Sequence, residues 1–434
     1  MADAPMKGLG RSLRLAGLPA AHAGRTALGL GRRLVGRPAE LVAAEVQGRT
    51  AAQLFQTLGE LKGGAMKLGQ ALSAMEPALP VELAGPYREA FTRLQEAAPP
   101  LPTGVVHGVL AEDLGNDWMD RFKRFDDMPA AAASIGQVHR AVWCDGTEVA
   151  VKVQYPGAAE ALTSDLRHLD RVMPLARLGA PTMDFRRLFS ELRERMLEEL
   201  DYEQEAAAQR EFAVAFTDDS DIVVPAVLEA WPRILVSQWI GGRPLADVIA
   251  SGTAQQRDLA GLRLLRLLLS SPERVGRIHA DPHPGNFRLL ADGRLGVLDF
   301  GSSELMRSGW PPGLGGLLRW ARDGDADKLH EQAVCLGLIG HDAVDPYTLV
   351  TLLDPWLEPL RSERFHFDRS WLQREVRVWA DPRSTGARLQ RKVRIPAHHL
   401  LVQRVAFGLL GVLTALDATV PVRAEVERWI LGLA

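Results

Sequence analysis

The stretch HADPHPGNF, residues 279–287, carries two histidines, an aspartate, two prolines, a glycine and an asparagine. One interpretation is a tight turn that His279 and Asp281 stabilise, because Asp-Pro and Pro-Gly are common turn pairs. A turn accounts for the prolines but gives no reason for Asn286 near the end of the stretch. The spacing of the polar residues therefore suggests a catalytic or binding role beyond the turn.

Asp281 and Asn286 have the spacing found in a loop that transfers phosphoryl groups. In such a loop an aspartate orients or deprotonates the acceptor hydroxyl, and an asparagine five positions later holds Mg²⁺. His283 is more readily a structural residue of this loop than a metal ligand, because no second histidine or carboxylate lies at ligand spacing from it. The stretch therefore predicts a catalytic loop for phosphoryl transfer.

Two further motifs lie in the order that this chemistry needs. GVLDFG, residues 296–301, places Asp299 after a short apolar run, where a carboxylate can bind the metal of a nucleotide. EVAVKV, residues 148–153, places Lys152 in a Val-rich strand, where it can contact the α- and β-phosphates. An edge-strand lysine is the commoner arrangement, but three motifs in order favour the phosphoryl-transfer interpretation.

Turn pairs between apolar runs predict the order of the strands. Asp145–Gly146 joins two Val-rich runs and is a strong hairpin signal, and Asp292–Gly293 joins two more. A further strand pair is expected within residues 223–240, and helix predominates elsewhere. The order predicts an α+β fold with a small sheet-bearing lobe before a larger helical lobe. The predicted division is an N-terminal arm and helical extension at 1–102, a first lobe at 103–241 and a second lobe at 242–434.

Composition limits the class of protein. Of 434 residues, 47% are hydrophobic and 24% are charged, the balance of a globular chain with a sizeable core. The net charge of −3, from 51 basic and 54 acidic residues, argues against a nucleic-acid partner. Only Cys144 and Cys335 are cysteines, so a reducing compartment is expected and neither a disulfide framework nor a thiolate metal site is predicted.

Membrane contact is expected to be peripheral. No stretch has the roughly 20 consecutive apolar residues of a spanning helix, and the longest apolar run, Val405 to Leu416, is predicted to be a buried helix. Residues 1–36 are basic and rich in Leu and Ala, which suits an anionic membrane surface or, equally, a solvated arm. The expected location is the cytoplasm, with a peripheral membrane contact as an extension of that prediction.

The segment before the lysine strand differs from that of ordinary protein kinases. Those proteins cover the phosphates with a glycine-rich loop, whereas here the matching hairpin turn is PAAAASIGQ, residues 129–137. Alanine does not adopt positive φ cheaply and keeps the backbone further from a phosphate than glycine does. Nucleotide is therefore expected to be held differently, or less tightly.

These motifs together resemble the UbiB/AarF family of atypical kinases, the ubiquinone-biosynthesis kinase-like proteins. The resemblance runs from about Leu58 to the C-terminal helices. It rests on KLGQ at 67–70, AAAS at 131–134, VAVK at 149–152, ELDYEQEA at 199–206, HADPHPGN at 279–286 and DFG at 299–301. It implies a bilobal protein-kinase-like fold that binds ATP with Mg²⁺. It also implies an N-terminal K-x-G-Q extension that occludes the peptide site, and a link to isoprenoid, quinone or lipid metabolism at membranes.

Carried onto this chain, the resemblance assigns a role to each motif residue. Asp281 is the catalytic aspartate, Asn286 and Asp299 are the metal ligands, and Lys152 contacts the phosphates. Lys67 and Gln70 join the catalytic set. The expected nucleotide-binding set comprises Ala131, Ala132, Ala133, Ser134, Lys152, Glu199, Asp201 and Glu205.

Glu205 is the expected ion-pair partner of Lys152. Asp201 and Glu205 are four residues apart and are expected to share a helix face, whereas Glu199 and Asp201 are two apart and do not. Glu199 and Asp201 then remain as partners for the K-x-G-Q segment. The simpler alternative is that this acidic segment is a solvated helix face.

Three functions stay open on the sequence. The first is an atypical kinase or ATPase that acts on or near a lipid, isoprenoid or quinone-pathway small molecule. The second is a small-molecule phosphotransferase resembling aminoglycoside and choline kinases, against which the extension with Lys67 and Gln70 argues. The third is a nucleotide-dependent scaffold with little turnover, against which the intact Lys152, Asp281 and Asp299 argue.

Overall fold

The computed structural model describes residues 100–133, 135–160, 163, 200–380, 384–390, 392–393 and 396–433. Within these ranges the chain divides into two compact units. The first unit runs to Gln204 and takes in Leu228–Gln238. The second comprises Glu205–Val227 and the residues from Trp239 onward.

The first unit is built on a six-stranded sheet with the order β1-β3-β4-β7-β6, in which β2 also pairs with β3. Its elements are α1 (Thr103–Leu114), β1 (Phe122–Phe125), β2 (Ala131–Ala133), β3 (Gly136–Trp143), β4 (Glu148–Gln154), β6 (Val227–Trp231) and β7 (Ile234–Gln238). Helix α2 (Tyr202–Ala215) and strand β5 (Ile222–Val223) precede β6 in the chain.

Strands β3 and β4 form the hairpin that the Asp145–Gly146 pair predicts. Gly146 has a φ of 104°, which glycine adopts at little cost, and the Asp145 carboxylate accepts a hydrogen bond of 2.7 Å from the Thr147 N–H. Val149, Val151 and Val153 alternate along β4 and are fully buried with α1 in one core. The period of two therefore places Lys152 on the opposite face of a central strand.

The second unit is mostly helical. Its elements are β8 (Arg243–Pro244), α3 (Leu245–Ser251), α4 (Ala254–Arg274), β9 (Arg277–His279), β10 (Phe287–Leu289), β11 (Leu295–Val297), β12 (Ser303–Leu305), α5 (Leu314–Asp323), α6 (Ala326–Cys335), α7 (Pro346–Leu353), α8 (Glu358–Arg361), β13 (Phe365–His366), α9 (Arg369–Ala380), α10 (Thr385–Gln390), α11 (Ala397–Leu416), β14 (Thr419–Val420) and α12 (Val422–Trp429).

Helix α4 is the central element of this unit. Thr253 and Gln256 form a reciprocal capping box that satisfies backbone N–H groups at its start. Its apolar face, including Leu264, Leu265 and Leu268, is buried in the core of the unit. This helix leads directly into β9 and thus into the stretch 279–287.

Short strands flank the predicted catalytic stretch. β9 pairs antiparallel with β12, and β10 pairs antiparallel with β11. The β10–β11 hairpin turns at Asp292–Gly293, as predicted, with Gly293 at a φ of 85°. The predicted α+β class is therefore confirmed, and the strands hold both ends of the 280–286 loop.

Helix α11 contains the longest apolar run of the sequence. Among the residues that the structure describes, it is the one helix that passes a test of length and composition for crossing a membrane. Its window His399–Leu416 has a mean hydropathy of 1.6 and is 39% buried. Val412, Leu413 and Leu416 belong to the core of the second unit. A core helix of a soluble protein passes the same test.

Candidate active site

The loop between β9 and β10 is closed by a contact between its two predicted catalytic residues. The Asn286 side-chain amide donates to the Asp281 backbone carbonyl at 3.1 Å and to the Asp281 carboxylate at 3.2 Å. Both bonds use the amide nitrogen of Asn286, so neither occupies its amide oxygen. The five-residue spacing thus brings an aspartate and an asparagine together, with Asn286 buried and Asp281 half-buried.

His283 has the structural place that its sequence context favours. It caps the short 3-10 turn Pro284–Asn286, and its Nδ1 accepts a hydrogen bond of 3.1 Å from the Gly285 N–H. A ring nitrogen that accepts from backbone stabilises the turn.

His279 links this loop to Asp299. Its Nε2 donates to the Asp299 backbone carbonyl at 2.6 Å, and its ring is 1% exposed. The other ring nitrogen lies 3.4 Å from the Asp281 N–H. The sequence indicated only a turn-stabilising role for His279. Its position two residues before Asp281 was the available signal, but the link to a residue twenty positions later depends on the fold.

Asp299 lies after β11 in a tight turn. One carboxylate oxygen accepts a hydrogen bond of 3.0 Å from the Gly301 N–H. Phe300 is 1% exposed, and its ring lies 5.8 Å from that of His279 and 5.1 Å from that of Phe212. Buried apolar contacts therefore fix the backbone on which Asp299 is carried.

Glu205 lies on α2 and belongs to the same compact unit as Asp299. Its side chain is 3% exposed, and one oxygen accepts a long hydrogen bond of 3.5 Å from the Phe300 N–H. A nearly buried carboxylate is costly unless it has partners. The pairing of Glu205 with Lys152 stays a prediction.

Lys152 is held in the first unit, in the middle of the sheet. It lies opposite Val138 on β3 and Leu235 on β7, so the edge-strand alternative is wrong. Its ammonium lies 4.9 Å from the centroid of the Tyr202 ring, a distance at which a cation is attracted to the aromatic face. Lys152 is therefore half-buried on a central strand, and its contact with the phosphates stays a prediction.

The alanine segment differs from expectation. Ala131, Ala132 and Ala133 form strand β2 and pair with Val138, Gln137 and Gly136. β2 and β3 thus form a hairpin whose pairing reaches Ala133 and Gly136, within the predicted segment 129–137, but the three alanines are its extended strand and not its turn. Ala131 and Ala132 are exposed. Ser134 lies outside the described residues.

The expected shared helix face of Asp201 and Glu205 is also corrected. Helix α2 begins at Tyr202, and the Asp201 carboxylate accepts a hydrogen bond of 3.0 Å from the Gln204 N–H. Aspartate is a favoured residue at this position because it satisfies a backbone donor of the first turn. Lys67, Gln70 and Glu199 lie outside the described residues, so their roles stay predictions.

The oxygen donors of this site suit a nucleotide-bound metal. Across the parts of the chain that the structure describes, His, Cys, Asp and Glu form no group of three or more that could hold a metal alone. Mg²⁺ is usually bound through one or two protein groups together with phosphate oxygens and waters. The Asp299 carboxylate and the Asn286 amide oxygen are donors of this kind, and they fit the group.

Comparison with known proteins identifies the family. Residues 93–332, more than half of the chain, match the ABC1 atypical kinase-like domain. The chain belongs to this family. The ABC1 match includes β4 with Lys152, the 280–286 loop and Asp299, and it confirms the kinase-like bilobal fold that the sequence motifs indicated.

Several relatives can be compared in detail. The mitochondrial atypical kinase coq-8 of Caenorhabditis elegans is 32% identical over 335 residues, which cover 75% of this chain and 43% of that protein. The mitochondrial atypical kinase COQ8B of Rattus norvegicus is 34% identical over 288 residues, which cover 65% of this chain and 53% of that protein. The chain thus spans about half the length of these curated relatives.

A solved structure is similar over a larger share of the chain. The complex of Rv3197 with erythromycin from Mycobacterium tuberculosis has a TM-score of 0.70 and 44% sequence identity. It covers 92% of this chain and 100% of that one. Other ABC1 relatives have a chloroplastic name, such as ACTIVITY OF BC1 COMPLEX KINASE 8 of Arabidopsis thaliana, which is 31% identical.

Proposed function

We propose that this ABC1 chain binds ATP with Mg²⁺ and either transfers the γ-phosphoryl group to a small-molecule hydroxyl or hydrolyses it. The observation that carries the proposal is the closed loop in which the Asn286 amide donates to Asp281. His279 connects the same loop to the backbone of Asp299. Hydrogen bonds thereby link Asp281, Asn286 and the backbone of Asp299, which supports assigning them to one site.

Each residue has a distinct task in this proposal. Asp281 orients the acceptor hydroxyl or water and takes its proton while the new O–P bond forms and the bond to the ADP oxygen breaks. Asn286 and Asp299 bind the metal, which when present neutralises charge on the phosphates. Lys152 contacts the α- and β-phosphates, with Glu205 as its proposed partner.

The acceptor is proposed to be a lipid, an isoprenoid or a quinone-pathway small molecule and not a polypeptide. The proposal rests on the K-x-G-Q segment with Lys67 and Gln70, which in this family is expected to cover the peptide site. Glu199 and Asp201 are its proposed ion-pair partners, and Ala131 to Ser134 are proposed to contact the nucleotide. We also propose that the protein is cytoplasmic and contacts membranes peripherally. No nucleic-acid partner is proposed.

Macrolide binding is a second candidate function. The supporting observation is the 44% identity to Rv3197 of Mycobacterium tuberculosis, whose structure contains erythromycin, over 92% of this chain. A bound macrolide would present hydroxyl groups and is therefore also a candidate acceptor for the phosphoryl group. This makes the aminoglycoside-kinase type of chemistry testable with a defined compound.

Phosphate release from ATP tests the proposal. Wild type is compared with Asp281→Asn and with Asp292→Asn, which changes an exposed turn aspartate. Mg²⁺-dependent release should fall by roughly 10²–10⁴-fold in Asp281→Asn, because a general base is lost, and should be unchanged in Asp292→Asn. The assay is repeated with liposomes, with hydroxylated metabolites and with erythromycin.

The possible outcomes separate the candidate functions. Acceptor-dependent ADP formation supports transfer, and acceptor-independent release supports an ATPase. Binding of ATP without turnover supports the scaffold alternative. Equal release by wild type and Asp281→Asn would contradict the assigned role of the loop.

A further inference from the structure

Gly408 of helix α11 lies against Pro282 of the catalytic loop. A Cβ atom added to Gly408 would lie 2.6 Å from Cγ and 3.3 Å from Cδ of Pro282. The first distance is shorter than real Cβ contacts allow, so a side chain at this position would force either the helix or the loop to move. Pro282 is buried and directly follows Asp281 in the chain.

The loop cannot absorb such a contact by moving a flexible side chain. The proline ring includes its own backbone nitrogen, which is bonded to the carbonyl carbon of Asp281. Cδ is bonded directly to that nitrogen, so the part of a push that a change of ring pucker does not relieve displaces the Asp281–Pro282 peptide. The oxygen of that peptide accepts the 3.1 Å hydrogen bond from Asn286, so the displacement would disturb the contact between the two predicted catalytic residues.

The helix is also held in place around this point. One turn before Gly408, Arg404 lies 3.6 Å from Glu304. Glu304 is on β12, opposite Ile278 on β9, the strand that leads into the loop.

The second half of α11 is fixed by the core. Leu413 is 1% exposed, and a Cβ added to Gly261 of α4 would lie 3.1 Å from its side chain. The close contact leaves little space for α11 to move toward α4. We therefore expect the loop to move in response to a side chain at position 408.

We propose that Gly408 is a positioning residue for phosphoryl transfer. Because Gly408 has no side chain, α11 packs directly against Pro282. This contact sets the position of the Asp281 carboxylate relative to Asn286. The inference rests on the proposed function of this loop and extends it to a helix more than 120 positions later in the chain.

The test is a double-mutant cycle on ATP turnover with Gly408→Ala and Pro282→Ala. Gly408→Ala should lower kcat by about 10- to 100-fold and change KM for ATP much less, because the displaced peptide carries Asp281, whereas Lys152 and Asp299, which are also assigned to Mg²⁺-ATP, lie outside the loop. Pro282→Ala removes both ring atoms of the contact. Gly408→Ala should therefore have little further effect in the Pro282→Ala background.

Gly316→Ala is the matched control. Gly316 lies in helix α5 of the same unit, and the nearest atoms to an added Cβ are at 3.8 Å, an ordinary contact. Both substitutions raise helix propensity in the same way, so a difference between them reports the contact with Pro282. Gly316→Ala should leave kcat and KM unchanged.

Amide hydrogen exchange over residues 280–287 gives a readout that does not need turnover. Exchange should be faster in Gly408→Ala than in wild type. The double variant should exchange at about the rate of Pro282→Ala. If wild type hydrolyses no ATP, the proposed function fails, but the exchange data still test the positioning role. If Gly408→Ala matches wild type in kcat and exchange, the positioning role is wrong. If Gly408→Ala does not fold, kcat and exchange are compared between Pro282→Ala and the double variant. Equal values support the positioning role, and a large further loss in the double variant contradicts it.

Discussion

His139 is a fully buried side chain whose hydrogen-bond partners favour the neutral ring. On β3 its Nδ1 donates to the Asp126 backbone carbonyl at 2.8 Å, and its Nε2 accepts from the Gln137 side-chain amide at 2.7 Å. The Gln137 oxygen accepts from the Leu101 N–H at 2.9 Å. Nε2 is therefore the acceptor nitrogen of the ring. Protonation would make Nε2 a donor that faces the donor amide nitrogen of Gln137.

Burial lowers the pKa of His139 below its ordinary value of 6.5. Between the two pKa values the unfolded chain binds more protons than the folded chain, so stability falls as pH falls through about 6.5. The loss is complete below the folded pKa. His139→Gln should therefore show a smaller loss of unfolding free energy than wild type between pH 7.5 and 5.5.

Urea denaturation at several pH values measures this difference. His341→Gln is the control, because His341 is exposed. The expected result concerns the pH slope and not the absolute stability, which the loss of the His139 hydrogen bonds also changes. An identical slope for wild type and His139→Gln would contradict a buried neutral histidine.

At the scale of elements, the structure of strand β2 is the feature that the sequence predicted least well. Residues 129–137 were expected to be a hairpin turn because they stand where ordinary protein kinases have a glycine-rich loop; alanine also has low strand propensity. The pairing with β3 overrides that preference. A local sequence pattern does not show this pairing, because it depends on the contact between two strands. By contrast, both hairpin turns were predicted because Asp-Gly pairs encode the turn locally. The expectation that Asp201 and Glu205 share a helix face did not foresee that Asp201 caps α2, which begins at Tyr202.

Replacing one β2 alanine by glycine tests whether this strand approaches nucleotide. Ala132→Gly should change the affinity for ATP by a few-fold, because it lets the backbone come closer to a phosphate. The cost in stability should be about 0.5–1 kcal/mol, as for glycine in other strands. Isothermal titration with ATP and ADP measures the affinities.

Ala230→Gly is the matched control for that measurement. Ala230 lies in β6, at the opposite end of the same sheet order. It carries the same strand penalty without a predicted nucleotide contact. Equal ATP affinities in wild type, Ala132→Gly and Ala230→Gly would mean that β2 does not cover the nucleotide.

At the scale of the whole molecule, the order of motifs along the chain predicted the kinase-like class. Lys152, Asp281, Asn286 and Asp299 follow one another on the expected elements, and each signal is local. The contacts that hold them were not predictable from local patterns. Gly408 contacts Pro282, and His279 contacts Asp299. Both contacts join residues that are far apart in the sequence, so they depend on the packing of the second unit.

The central claim is that Asp299 and its neighbours form a Mg²⁺-ATP site, and calorimetric titration of the full chain with ATP tests it most directly. Wild type should bind ATP in the presence of Mg²⁺ and much more weakly in EDTA. Asp299→Asn should lose this Mg²⁺ dependence and reduce ATP turnover by roughly 10²–10³-fold, because a metal-binding carboxylate is removed.

The fold of Asp299→Asn is checked by its melting temperature, and Asp342→Asn, at a fully exposed aspartate side chain, is the control. A folded Asp299→Asn variant that binds ATP as wild type does, with the same dependence on Mg²⁺, would contradict the account. Loss of Mg²⁺-dependent binding in Asp299→Asn alone is the result that the account predicts.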